Sequence, residues 1–239
     1  MTRFVVIAVA LGFLVPAAEV NAQVMSNGQS WGPYVRVTPF VGHAPQFRRT
    51  ERWLYSDGFV IGNSTIQTVY AAGPALGGVV EIGLGRFGLV ASGIYNDRRP
   101  TVDFETAEVI PGSDFLIAKA GLILRLRESV NGKQMRRLTA SIFAGPAFVR
   151  EEPGLDPAVG GFTDPIDHWA ANAGAEAEIP VYGRAIALQL GIEDYVVLWN
   201  DAEIANRLNL ATGYAVTSAV DTDPTHMWVL RLGLSFALQ

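Results

Sequence analysis

Three histidines, His43, His168 and His226, are the residues of this chain best suited to general-base chemistry. A Ser–His–acid arrangement needs the base within hydrogen-bond reach of its nucleophile. No His-x-Ser pair supplies one along a strand, because His168 is followed by Trp169-Ala170 and His226 by Met227-Trp228. Asp156, Asp164 and Asp167, with Asp221 and Asp223, carry oxygens suited to a divalent ion. Their spacing is irregular, and they read as acidic, solvated loops. Zero cysteines exclude a disulfide framework, a thiolate metal site and a cysteine nucleophile. Gly77-Gly78 and Gly160-Gly161 read as strand flexibility and a loop, not as a phosphate cradle. The expectation is a non-enzymatic protein with no catalytic residue, no metal site and no cofactor.

Other charges are placed more regularly. Arg36, Lys119, Arg125, Arg127 and Arg231, with Glu81, Glu176, Glu178 and Glu193, each lie in a segment of about ten residues whose opposite face is apolar. Such period-two alternation is the signature of a strand with two different faces. Eight segments follow the pattern, at about 34–42, 74–84, 87–95, 114–127, 138–149, 168–179, 185–197 and 225–238. The fourth is the most diagnostic: Leu116, Ala118, Ala120, Leu122, Leu124 and Leu126 share one face, while Lys119, Arg125 and Arg127 share the other. A soluble core does not hold that many charges on a buried face. In the seventh, Asp194 interrupts the apolar set and suggests a bulge or the edge of a membrane.

The connections alternate without exception: long (43–73), short (85–86), long (96–113), short (128–137), long (150–166), short (180–184), long (200–224). A transmembrane barrel with short periplasmic turns and large external loops has this alternation. A soluble sandwich has no reason to obey it.

Of the 239 residues, 49% are apolar and only 17% charged, against about 25% charged in ordinary soluble domains. No apolar run after the first sixteen residues approaches the ~20 needed for a spanning helix, so the apolar excess is spread over short segments. The net charge of −5 leaves no basic footprint for nucleic acid. Residues 1–22 read as a cleaved signal peptide, with Arg3 as the basic region, Phe4 to Val15 as the apolar stretch, and Val20-Asn21-Ala22 before the cleavage site. Residues 23–239 then form one domain. A bilayer requires every backbone polar group to be paired internally, which leaves a closed barrel once helices are excluded. The fold expected is all-β: an eight-stranded antiparallel up-and-down transmembrane β-barrel with four long external loops and three short periplasmic turns.

The final residues, Arg231-Leu-Gly233-Leu-Ser-Phe236-Ala-Leu238, match a pattern of polar, any, Gly, any, any, apolar, any, apolar. On this and on the strand pattern, the chain resembles the small eight-stranded outer-membrane barrels of the OmpA and OmpX kind. The resemblance implies that Arg231, Gly233, Phe236 and Leu238 form an assembly signal read by the barrel-assembly machinery. It also implies a bacterial outer-membrane location among lipid and lipopolysaccharide. The chain departs from the family in ending Phe236-Ala-Leu-Gln239 rather than on an aromatic residue.

An eight-stranded barrel is just wide enough to be filled by side chains, and unpaired charges inside cost several kcal/mol each. The nine inward charges are therefore expected to form an ion-pair network that closes the lumen, with Glu81 near Arg36. Tyr95, Trp169, Trp199 and Trp228 are expected in an outer aromatic girdle, and Tyr182 and Phe236 in an inner one. The role expected is structural or surface interaction. Alternatives are an OmpW-like barrel admitting small apolar molecules where Pro39, Pro74 and Pro146 interrupt ladders, a lipid A-modifying enzyme, and a soluble lipocalin-like barrel.

Overall fold

The structure, a computed structural model, describes residues 33–56, 61–98, 101–102, 109–110, 113–130, 137–153, 165–182, 185–212 and 219–238. The signal segment 1–22, Asp156 and Asp164 lie outside the described residues. Eight long strands are β1 (Pro33–Ala44), β4 (Gly73–Leu84), β5 (Phe87–Arg98), β8 (Ser113–Val130), β9 (Arg137–Pro153), β10 (Ile166–Tyr182), β11 (Ile186–Leu198) and β13 (Thr225–Leu238). They close a barrel in the order β1-β13-β11-β10-β9-β8-β5-β4. Every pairing is antiparallel, and the last strand seals against the first from Val35↔Leu238 to His43↔Leu230.

Alternation fixes which side of the wall each residue faces. Leu84, Phe87, Leu89 and Leu122 point outward and are 62–70% exposed, whereas Glu81, Glu193 and Arg231 point inward and are at most 3% exposed. Gly85 sits in the two-residue turn between β4 and β5 with φ 66°, a left-handed conformation that costs glycine nothing.

The connections at the other end hold structure that alternation did not reveal. The segment expected as a loop at 43–73 is a hairpin, β2 (Phe47–Ser56) with β3 (Ile61–Tyr70). The last connection contains α1 (Asp201–Thr212) and β12 (Ala219–Thr222), and β12 adds to β2 in a three-stranded sheet. Asn200 caps α1, its Oδ1 accepting from the Glu203 amide at 3.3 Å. Two-residue strands β6 (Thr101–Val102) and β7 (Val109–Ile110) pair in the remaining described loop.

Two local expectations, a bulge at Asp194 and a girdle position for Trp199, are corrected. Asp194 makes no bulge; it keeps register with Ala173 and Trp228, and the shifts fall at Arg125/Arg127 and Pro180/Tyr182 instead. Pro39 and Pro146 do interrupt a ladder on one side: the β1–β13 pairing passes from Val37↔Phe236 to Phe40↔Gly233 and the β8–β9 pairing from Lys119↔Ala147 to Leu122↔Ala144, while on the other side Pro39 and Pro146 keep register with Gly78 and Ala171, and Pro74 with His43. Trp199 is not a girdle residue. It is 8% exposed, on the inward parity of Tyr195 and Val197.

Candidate functional site

Two clusters of polar and aromatic side chains stand inside the barrel, among buried aliphatic residues such as Val79, Ile94 and Ile117. The lower begins at the short-turn end, where Arg36 pairs with Glu178. Arg36 and Glu81 are register partners on β1 and β4. The guanidinium nevertheless goes to Glu178, while Glu81 faces Arg125 at 3.6 Å. Gln189 bridges to the next level, donating to Glu81 at 3.2 Å and accepting from Arg231 Nη1 at 2.8 Å. Arg231 also pairs with Glu176 at 2.6 Å, through a hydrogen bond from Nη2, and with Glu193 at 2.7 Å. Lys119 meets Glu193 at 2.8 Å, and the Tyr195 hydroxyl also donates to Glu193. Thus Arg36, Lys119, Arg125 and Arg231 are matched against Glu81, Glu176, Glu178 and Glu193. The Arg127 side chain lies outside the described residues.

Aromatic rings fill the space between these pairs. Arg125 stacks 3.6 Å over the Tyr34 ring, and Lys119 Nζ lies 3.8 Å over Phe143. Arg231 sits between Phe40 and Phe143, at 5.5 and 5.6 Å. Charge pairing and cation–π contact together replace the hydration these groups lose on burial.

The upper cluster caps the mouth that carries the long connections. The β2–β3 hairpin brings Phe47 and Tyr70 onto the barrel end, where they stack on Trp199 and meet Phe115. Arg49 of β2 reaches Glu151 of β9 at 3.1 Å and also pairs with Glu51. The Tyr70 hydroxyl donates to Glu151 at 2.8 Å. His168 presents Nε2 to the same carboxylate at 3.5 Å and accepts the Asn200 amide on Nδ1 at 3.0 Å. Burial, and next the Glu151 carboxylate, push the Tyr70 phenol well above its ordinary range. It therefore remains a donor. Trp199 donates from Nε1 to Thr225 at 2.9 Å, tying this layer to the start of β13.

Other sequence-selected residues are dispersed. His226 faces outward and pairs with Asp194 at 2.7 Å. The adjacent hydroxyl, Thr225, points to the other side of the strand and is held by Trp199 and Asp223. Asp167 pairs with Arg150, and Asp221 and Asp223 with Arg52. Among the described residues no group of three or more His, Asp or Glu is arranged to hold a metal. Of the proposed assembly residues, Arg231 faces the lumen, Phe236 and Leu238 face outward, and Gly233 lies opposite Phe40. Tyr95, Trp169 and Trp228 are exposed on the wall toward one end, Tyr182 and Phe236 toward the other.

Sequence reasoning missed the cap. Arg49, Glu51, Tyr70, Arg98 and Glu151 are all at most 9% exposed. A buried polar set leaves no trace in a search for apolar alternation.

No family model matches the chain, and no curated protein sequence is significantly similar to it. Solved structures do resemble it in shape. The outer membrane protein OprG from Pseudomonas aeruginosa aligns with a TM-score of 0.58 at 11% identity, covering 87% of this chain and 96% of that one. Ail, the attachment invasion locus protein of Yersinia pestis, in complex with the heparin analogue sucrose octasulfate, gives 0.39 at 10% identity, over 87% and 99%. The outer membrane protease OmpT from Escherichia coli gives 0.31 at 9% identity, over 85% and 97%. The likeness to OprG is one of fold: a closed eight-stranded antiparallel β-barrel.

Proposed function

We propose that this chain is a non-enzymatic integral protein of the bacterial outer membrane, exported by its N-terminal segment, with a sealed lumen and a surface-interaction role at its external end. The observation that carries the reading is the inverted distribution of side chains. Large apolar residues stand exposed around the whole outer wall, while four cations and four anions are enclosed. A soluble monomer rarely shows an apolar patch beyond a few hundred Å². In lipid the same surface is the favourable one.

The two clusters support closure, because solute transit would require breaking several buried ion pairs and moving the aromatic cap. Function then falls to the external end, where the β12-β2-β3 sheet and α1 stand above the wall. The OmpA and OmpX resemblance supports this division between a membrane wall and a variable external surface.

Membrane fractionation with a heat-modifiability gel tests the proposal. An outer-membrane species whose mobility changes on boiling is expected. Recovery of a soluble, heat-insensitive species would overturn it.

A further inference from the structure

Arg98 ends β5 beneath the hairpin, 1% exposed, and among the described residues no carboxylate lies within ion-pair distance of it. Arg49, Lys119 and Arg231 are similarly buried, and each has at least one. Its Nη1 donates to two backbone carbonyls, Pro45 at 3.1 Å and Ala71 at 2.5 Å. Those residues belong to the two short links, 45–46 and 71–72, that join the hairpin to the barrel. One guanidinium thus clasps both ends of the hairpin.

Phe47 and Phe115 cover the guanidinium, their ring centroids 4.5 and 5.5 Å from Cζ. Nε and Nη2 remain, buried and without an acceptor. These two nitrogens form the side edge of the guanidinium, and their N–H bonds run parallel. The spacing matches two oxygens of one carboxylate or phosphate group, a geometry lysine does not offer. A buried cation is stable only when its charge and donors are met. An oxyanion on this edge meets both requirements within an apolar surround.

We propose that the Nε–Nη2 edge of Arg98 is a receptor site for a small oxyanion, a carboxylate or a phosphate, taken up beneath the β2–β3 hairpin. The site has two consequences. Uptake requires the hairpin to lift, so association is slower than diffusion. Occupancy also stiffens the hairpin, because the group that holds the anion holds both of its ends. The inference needs only the folded barrel and is independent of the membrane reading.

The test uses the full chain refolded in detergent, titrated separately with sodium phosphate and sodium acetate against sodium chloride at constant ionic strength. Two readouts are followed: the midpoint of the heat-modifiability transition and amide exchange across residues 47–70. A saturable rise in midpoint with slower exchange is expected for at least one oxyanion and not for chloride, and the anion that saturates identifies the ligand class. Arg98→Lys keeps the charge but loses the fork and is expected to bind at least about tenfold more weakly. Arg52→Gln, at an exposed guanidinium, is expected to bind as the parent does. A response that does not saturate, or one unchanged in Arg98→Lys, would overturn the proposal. If Arg98→Lys does not fold, calorimetry on the parent decides: one-to-one binding supports the site, and no stoichiometric binding of either anion overturns it.

Discussion

Arg231 on β13 reaches Glu176 on β10 across an intervening strand, and the residue between them is Gly191. The three form one row through the wall's register, Arg231↔Gly191↔Glu176. A Cβ at Gly191 would lie 2.6 Å from Arg231 Nε and 2.9 Å from its Cγ. The absent side chain is therefore what lets the guanidinium cross β11 and gather Glu176, Glu193 and Gln189 at once.

Replacing Arg231 with Ala leaves Glu176 and Glu193 buried without their shared partner. Removing one member of a buried pair typically costs about 3–5 kcal/mol. The expected result is a clear fall in the heat-modifiability midpoint and in the urea midpoint. A variant as stable as the parent would mean that these carboxylates are neutralised in some other way.

Gly191→Val tests the row without removing a charge. The added side chain displaces Arg231, so a loss similar to that of Arg231→Ala is expected. The double variant should be little worse than either single one, because both break the same contact. Additive losses would separate Gly191 from the network.

The orientation of the wall is tested by charge insertion. Leu122 is 70% exposed and lies near mid-height, opposite Leu89 and Ala144. In a bilayer, Leu122→Arg is expected to cost about 2–4 kcal/mol, against about 0–1 for Tyr182→Arg at the edge. Refolding yield and urea midpoint in lipid vesicles measure both. A soluble barrel would tolerate the two changes equally.

The cap carries an alkaline signature. The Tyr70 pKa is raised above its ordinary value, first by burial and then by Glu151, so folding favours the neutral phenol. The stability it contributes is fully present below the unfolded pKa of about 10 and fades as pH rises beyond it. Amide exchange across the hairpin is expected to accelerate from about pH 10 upward. Tyr70→Phe should remove that excess acceleration and, by withdrawing the donor to Glu151, cost about 1–2 kcal/mol at neutral pH. A parent and variant with the same alkaline profile would contradict the assignment.

The barrel was legible in the sequence because one constraint, apolar residues outside and mid-strand charges inside among buried aliphatic ones such as Val79, Ile94 and Ile117, acts on every second residue of eight strands. The inward charges followed from the same parity, but their pairing did not. Arg36 has Glu81 beside it in register and yet pairs with Glu178, because side chains crossing a narrow lumen meet residues that alternation along one strand cannot identify. The cap was illegible for a different reason. In Phe47-Arg-Arg-Thr-Glu-Arg52 the inward positions after Phe47 are Arg49 and Glu51, so the buried face is as polar as the exposed one. Trp199 was recoverable: two residues beyond Val197 and four beyond Tyr195, it shares their inward parity. Its nearness to a strand end outweighed that signal.

Planar-bilayer conductance tests whether the lumen of this barrel is sealed by its own side chains. With insertion verified by protease protection in matched vesicles, the intact protein is expected to leave the bilayer electrically silent. Sustained, steady conductance from the intact protein would contradict a closed lumen.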